Sequence, residues 1–508
     1  MAELVMTADY ANLGDLLVAV AERYPENEAF VDGQQRLSFG DWHTKASSLA
    51  AALTERGISK GDVVVLTLPT GLDYAIAYCA VLLLGGIVTG VNPRLGPGEI
   101  AGILEQSAAA AVIEPAPADR RIPDGFAGLR ITDEEVRAGY AHTPLTSRPS
   151  VTAGDPAVIV WTSGTTGAPK GAWFDHAALA AGARVSGLLS APFDRRLMPT
   201  PFAHAGFMTR VWDQLAFVMT TILTPTPWSA PAMLAALVQE HVTVGQGVPT
   251  QWEKLLVLLH ETGTMLPDLR IVGTGAAKVS AELVHDLSKY LGVPVLARYA
   301  CTEAPSITGT RVDDPPEVLE QTVGRAQNGI RVRILNESLE PLPLGEVGRV
   351  AIASPFQMRG YWRAPELTAA AFTPDGWLVS SDLGTLDADG NLTLVGRTSE
   401  VYIRGGYNVY PLEVENVLTA HPDVAGAAVV GTPAAVIGEI GVAFVVPAAG
   451  REPTLEVLRA WCAEHIADYK APDRLEIVAE LPLTSMMKID KLSLRRRAAS
   501  AGPQSKRR

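Results

Sequence analysis

Cysteine is scarce in this chain of 508 residues: Cys79, Cys301 and Cys462 are far apart, and there is no fourth. That excludes a disulfide framework and any cysteine-based metal spacing, and it fits a reducing compartment, the cytoplasm. Positive charge is short as well. The 42 Lys and Arg stand against 55 Asp and Glu, a formal net charge of −13. This argues against a nucleic-acid partner, which needs a basic face. It leaves an anionic small ligand open, because the local field at a bound phosphate outweighs net charge. The first residues include Glu3 and Asp9 and no basic stretch, so no signal peptide is expected. Tyr74 to Val91 runs 18 residues without a charge, at the lower edge of a membrane span. Gly85-Gly86 breaks it and Asn92-Pro93 ends it with a turn signal, so it reads as a buried helix and then a buried strand, and no transmembrane segment is expected. No internal repeat or low-complexity tract is present.

What remains is the composition of a globular protein, 47% apolar and 19% charged, in a chain too long for one core. The first ~130 residues alternate helical and strand-like patterns. Leu13 to Tyr24 and Leu49 to Leu53 have helical spacing, while Ala29 to Val31 and Val63 to Leu66 read as strands. A Pro/Ser/Thr-rich stretch, Thr143 to Pro156, is a loop. Further α/β alternation runs to about residue 330. From Val332 to Val395 short strands alternate with turns, at Gly345 to Gly348, Pro374 to Gly376 and Asp387 to Gly390. A smaller α+β unit follows. In it Pro411 to Leu418 is a helix with proline at its start, Ala427 to Val430 and Val442 to Val446 are strands, and Leu455 to Ile466 is an amphipathic helix. The Arg495-Arg-Arg497 and Lys506-Arg-Arg508 clusters read as a solvated tail.

The most informative segment is Trp161-Thr-Ser-Gly-Thr-Thr-Gly-Ala-Pro-Lys-Gly171, directly after the apolar run Ala157 to Val160. Glycines let a backbone approach a ligand closely. Hydroxyls and free backbone N–H groups donate to phosphate oxygens, and Lys170 adds a point charge. The pattern is not a Walker-type loop, which needs Gly-Lys followed by Ser or Thr. Nor is it a dinucleotide fingerprint, which needs Gly-x-Gly-x-x-Gly opening a helix.

The segment resembles the phosphate loop of the adenylate-forming superfamily, which includes acyl-CoA synthetases, peptide-synthetase adenylation domains and luciferases. Tyr299-Ala-Cys-Thr-Glu303 is similar to that family's Tyr-Gly-x-Thr-Glu motif, Ser380-Ser-Asp-Leu-Gly384 to its Thr-Gly-Asp-x-Gly, and Gly396-Arg397 to its Gly-Arg. Arg404 to Glu415 and Leu481 to Ile489 follow in family order. The resemblance spans nearly the whole chain. It implies an α/β fold: a large N-terminal domain, 1–397, of two α/β subdomains and a β-rich lobe, and a small mobile α+β C-terminal domain, 398–508. It implies ATP, Mg2+ and CoA as ligands and a small carboxylic acid as substrate.

The residue roles come from the same resemblance. Thr162, Ser163, Gly164, Thr165, Thr166, Gly167 and Lys170 hold the β- and γ-phosphates. Thr302 meets the α-phosphate, and Glu303 holds the metal, a hard cation suited to carboxylate oxygen beside phosphate. Tyr299 lies against adenine, and Asp382 and Arg397 reach the ribose or phosphate. Lys488 is the catalytic lysine, with Lys491 and Lys470 as rivals. Gly405 and Gly406 line the CoA pantetheine path, and Ser399 is the hinge. His204 sits near the carboxylate, and with it Phe207, Val248, Thr274, Gly275, Ala276, Ala300 and Cys301 form the substrate pocket. Four positions depart from the family pattern: Ala300, Ser381 and Met487 replace glycines, and Ser399 replaces Asp or Lys.

The leading expectation is an AMP-forming acid–thiol ligase. An adenylating enzyme with another acceptor (a carrier protein, an amine or nitrite) and a non-catalytic ligand-binding homologue are the alternatives. The oligomeric state stays open, a homodimer included.

Overall fold

Val63 to Leu66, Ile87 to Gly90 and Ala111 to Glu114 are buried at all four positions each, as strands covered on both faces must be. They belong to a seven-stranded sheet that runs, edge to edge, 360–361, 170–175, 156–162, 87–90, 63–66, 111–114, 129–132. The last five are mutually parallel, while 170–175 and 360–361 add antiparallel. Helix Leu72–Leu83 precedes strand Ile87–Gly90 and buries every residue from Tyr74 to Leu83. The uncharged run is thus a helix and a strand packed inside the protein, and no described helix is long and apolar enough to cross a membrane.

The computed structural model describes residues 10–92, 95–116, 122–162, 169–275, 279–434, 437–483 and 489–500. Its contacts divide the chain into two compact units. One comprises the residues up to Val332 with Ile352–Leu378 and Asp389–Asn391; the other comprises Arg333–Ala351, Val379–Ala388 and the residues from Leu392 on. The first unit also holds a nine-stranded sheet, ordered 325–326, 308–309, 295–299, 271–275, 244–247, 195–198, 220–223, 28–32, 35–38. The six inner strands are parallel and the edges antiparallel. Although aromatics make up only 6% of the chain, several gather at one place. Phe202 and Phe207 stack with ring centroids 3.6 Å apart, and Tyr74 meets both edge-on.

The second unit has two sheets. One is four-stranded, 331–335, 348–353, 378–386, 392–397 in order, and its turns carry Gly345 and Gly390 at positive φ, as the turn signals predict. The other pairs strand Val424–Ala434 with Gly438–Pro447, flanked by Tyr402–Arg404, Tyr407–Val409 and Arg474–Ile477. Alternation along 427–430 sends Ala427 and Val429 to one apolar cluster and Ala428 and Val430 to another. The second cluster explains a departure from the sequence reading. Arg495 to Arg497 lie in a helix, Lys491–Ser500, and not in a solvated tail. Leu494 and Ala498, four residues apart, bury against Phe444 on the sheet, and Arg497 covers the Phe444 ring and binds Glu476 at 2.9 Å. Lys506 to Arg508 lie outside the described residues.

His176 opens helix His176–Arg184, and its Nδ1 accepts from the Leu13 amide at 3.3 Å. Burial pushes the imidazole down to about 4 from 6.5, against the pull of Asp155, Asp175 and Asp15. The unfolded chain therefore binds the extra proton first. The stabilisation is complete above pH 6.5 and is lost as the pH falls towards 4, by roughly 3 kcal/mol. Thermal unfolding over that window should show this slope in the native chain, and His176→Gln should flatten it.

Candidate active site

Strand Pro156–Thr162 enters the hydroxyl-rich loop, and strand Lys170–Asp175 returns antiparallel, with Thr162 opposite Lys170. Ser163, Gly164, Thr165, Thr166 and Gly167 lie outside the described residues. The root of the loop is fixed from below. Trp161 Nε1 donates to Thr89 Oγ1 at 2.8 Å, and that hydroxyl donates to the Ile159 carbonyl at 2.8 Å. The return strand pairs with Gly360-Tyr361, placing Tyr361 opposite Ala172. The Lys170 ammonium lies 5.6 Å from the Tyr361 ring centroid, within range of a cation–π attraction. The Tyr361 hydroxyl then donates to Glu303 Oε1 at 2.8 Å, while the Glu303 carbonyl accepts from the Met358 amide. Burial and the neighbouring carboxylate raise the Tyr361 pKa, so the phenol stays protonated and keeps donating.

Glu303 reaches this point from the other sheet. Strand Val295–Tyr299 ends at a buried Tyr299, and a tight loop follows, closed by the Cys301 amide on the Ala304 carbonyl at 3.1 Å. Thr302 and Glu303 are half-buried on that loop. Val248, Thr274, Gly275 and Ala300 share the wall of a cavity of about 250 Å3 with Arg196, Arg210, Asp213 and Arg298. His204, Phe207 and Cys301 lie off that wall, though Gly206 is on it. Phe207 is under the aromatic stack, and His204 Nε2 sits 3.1 Å from Asn92 Nδ2. Ala276 lies outside the described residues.

Polar groups under the cavity are tightly tied. Arg196, 4% exposed, pairs with Asp213, 1% exposed, at 2.8 Å. Ser186 and Ser190 also donate to the Asp213 carboxylate. Arg210 donates to the Pro305 carbonyl at 3.0 Å and lies 5.0 Å from the Phe356 ring centroid.

In the second unit Asp382 and Arg397 face each other across paired strands, with Nε 3.0 Å from Oδ1. Gly405 and Gly406, at φ +58° and +89°, make the two-residue turn between strands Tyr402–Arg404 and Tyr407–Val409. Two successive left-handed residues are what such a hairpin needs. Ser399 is exposed in a turn, and its carbonyl accepts from Arg495 at 2.8 Å. Lys488 lies outside the described residues. Both rivals are engaged: Lys470 holds both oxygens of Glu413 at 2.6 and 2.8 Å, and Lys491 bridges Glu400 at 2.6 Å and Glu415 at 2.8 Å. Burial opposes the charge on Lys491, yet Glu415 and Glu400 outweigh it and raise its pKa.

Sequence reasoning passed over Tyr361, Arg196, Arg210, Asp213 and Arg298. For Tyr361 there is no motif to find. For Arg298 the signal is a cation among the apolar residues of strand Val295–Tyr299, a placement that calls for a partner.

The ends of strands Pro156–Thr162 and Val295–Tyr299 bring a lysine, a phenol and a carboxylate together, the arrangement of an α/β enzyme that acts on a small molecule at its strand ends. Known proteins place the chain within that class. Residues 17–362 match the family model of AMP-binding enzymes and residues 413–488 that of the AMP-binding enzyme C-terminal domain. The chain belongs to the AMP-binding enzymes, the adenylate-forming superfamily. It is 33% identical over 494 residues to a feruloyl-CoA synthase of Amycolatopsis sp, covering 96% of this chain and 99% of that protein. The solved structure of ATP-bound MatB from Rhodopseudomonas palustris superposes with a TM-score of 0.88 at 26% identity, covering 97% and 100% of the two chains. An amide bond synthetase, McbA from Marinactinospora thermotolerans, superposes with a TM-score of 0.85 at 29% identity, covering 96% and 99%.

The tie from Lys170 through Tyr361 to Glu303 has a measurable consequence. Tyr361→Phe removes one hydrogen bond, worth about 1 kcal/mol. Acid-dependent pyrophosphate exchange should slow roughly 5- to 10-fold, with the melting temperature nearly unchanged.

Proposed function

We infer that the chain is an ATP-dependent acyl-CoA synthetase, an AMP-forming acid–thiol ligase. The observation that carries this is the direct connection from the strand after the phosphate loop, through Lys170 and Tyr361, to Glu303. In this reading it joins the residues assigned to pyrophosphate to the residue assigned to the metal, with a cavity of about 250 Å3 beside Tyr299 and Ala300 for the acyl group.

The reaction proceeds in two displacements. A carboxylate oxygen attacks the α-phosphorus of ATP, the bond to the β-phosphate oxygen breaks, and acyl-AMP and pyrophosphate form. The CoA thiolate then attacks the acyl carbon, and AMP leaves with the bonding pair. No protein nucleophile is needed; positioning and electrostatics do the work. We assign Thr162, Ser163, Gly164, Thr165, Thr166, Gly167 and Lys170 to the leaving pyrophosphate, Thr302 and Lys488 to the α-phosphate, Tyr299 to adenine, and Asp382 and Arg397 to the ribose. Mg2+ fits Glu303, since this ion takes one or two carboxylates and leaves the rest of its shell to phosphate and water; when bound it neutralises phosphate charge. Lys470 and Lys491 are already held by carboxylates, which supports Lys488 as the catalytic lysine. We place the functional division at 397/398, with Ser399 as the hinge, Gly405 and Gly406 along the pantetheine path, and the enzyme in the cytoplasm.

A second reading keeps adenylation but gives the acyl group to an amine. The likeness to an amide bond synthetase favours it. One assay decides: a panel of carboxylic acids read by pyrophosphate release, with and without CoA. The ligase reading expects acid-dependent pyrophosphate exchange and AMP release that requires CoA. AMP release that follows an added amine and ignores CoA would select the second reading. Lys488→Ala should cut adenylation by orders of magnitude while ATP binding persists, and Lys470→Ala and Lys491→Ala should not.

A further inference from the structure

Arg298 has a setting that none of the steps above uses. It lies inside the parallel sheet, on strand Val295–Tyr299, and its residue partners on both neighbouring strands are glycines, Gly275 and Gly309. A β-carbon on Gly309 would fall 2.7 Å from Arg298 Cδ and closer still to Nη1. The missing side chain there is what gives the guanidinium its room. A β-carbon on Gly187, which is at φ +59°, would stand 4.0 Å from Nη2. The arginine therefore lies in a cradle cleared for it and opens on the cavity.

Among the described residues no countercharge answers it. Among the described residues the Arg298 guanidinium has no hydrogen bond and no ion pair, and the charged group acting on it is Arg210, another cation. Burial, and then Arg210, lower its pKa to about 10, so it is still a cation at neutral pH. The other arginines of the wall differ. Arg196 holds Asp213, and Arg210 donates to carbonyl and hydroxyl oxygens. The charged lining residues are Arg196, Arg210, Arg298 and Asp213, three cations to one anion. An uncompensated charge away from water is costly unless something pairs with it. An arginine fork matches one kind of partner best, the planar or trigonal oxyanion that takes two parallel N–H bonds.

Along the chain Arg298 precedes Tyr299, and the loop that carries Thr302 and Glu303 follows it. We propose that the acid activated by this chain carries a second oxyanion, a carboxylate or a sulfonate, remote from the carboxylate that is adenylated, and that Arg298 is the residue that binds it. This rests on the ligase reading. The cavity is small, so the substrate is a short diacid or sulfo-acid and not a long alkyl acid. Arg298 acts on specificity: it recognises the remote end and leaves the chemistry to Thr302, Glu303 and Lys488.

The test uses the native chain first. Pyrophosphate release is measured with matched sets: succinate, glutarate and adipate, their monomethyl esters, the alkanoates of equal length, and the corresponding sulfo-acids. At least one doubly anionic acid should exceed its ester or alkanoate in kcat/KM by roughly 10- to 100-fold, the range for one charge-assisted pair. Arg298→Gln should remove that preference, mainly by raising KM for the doubly charged acid, and should leave the ester within about threefold. Arg298→Lys should retain part of the preference. Equal or better use of the esters and alkanoates by the native chain would overturn the proposal and leave the ligase reading standing. So would an Arg298→Gln variant that loses activity on charged and uncharged acids alike while keeping its melting temperature. No pyrophosphate release with any acid would remove the ligase reading itself. The comparison of acids on the native chain holds whether or not the variants fold.

Discussion

A parallel sheet covered on both faces has no room for polar chemistry along its strands. Every strand interior must be apolar, and whatever reacts has to gather where the strands end. That constraint shapes the first unit. The buried runs at 63–66, 87–90 and 111–114 exist because helices cover both sides of their sheet, and the hydroxyl-rich loop begins where strand Pro156–Thr162 runs out. Thr302 and Glu303 follow the end of strand Val295–Tyr299 in the same way. The residues assigned to the reaction come from separate sheets but the same kind of place, and Tyr361, on a two-residue edge strand, meets Lys170 and Glu303.

Arg196 and Arg298 sit within strands and line the cavity, and the structure treats them differently. Arg196 is met by Asp213, which in turn accepts from Ser186 and Ser190, so the ion pair is enclosed with most of its hydrogen-bonding capacity used. Such a pair is costly to open from either side. Arg298 receives space from Gly309 but, among the described residues, no countercharge. The contrast between a cation neutralised within the fold and one left facing a cavity separates architecture from recognition.

Much of the fold was legible in the sequence because period and punctuation were strong. Four-residue apolar runs, Gly85-Gly86 within an uncharged stretch, and proline at the start of helix Pro411–Thr419 each had one economical reading. The proposed site is drawn from residues that cluster in sequence, the loop at 161–171 and the run Tyr299 to Glu303. What could not be read were the partners that only tertiary folding supplies. Tyr361 sits 58 residues from Glu303 in sequence, and nothing around it marks it. The Arg495–Arg497 cluster misled because its charges outnumber the two small apolar residues, Leu494 and Ala498, that fix the helix to the sheet.

The hairpin turn at Gly405-Gly406 has a further consequence. Glycine turns are often thought of as slack, yet here two consecutive left-handed residues lock a tight reversal between paired strands, and the Gly405 amide is held by the Ile437 carbonyl at 2.8 Å. Their conformational freedom is surrendered when the chain folds. A ligand lying along this turn meets a backbone already in its final shape, so its affinity is not reduced by the entropy of ordering a loop. Any side chain introduced there would be opposed by backbone conformation alone, since neither position has a neighbour close enough to clash with it.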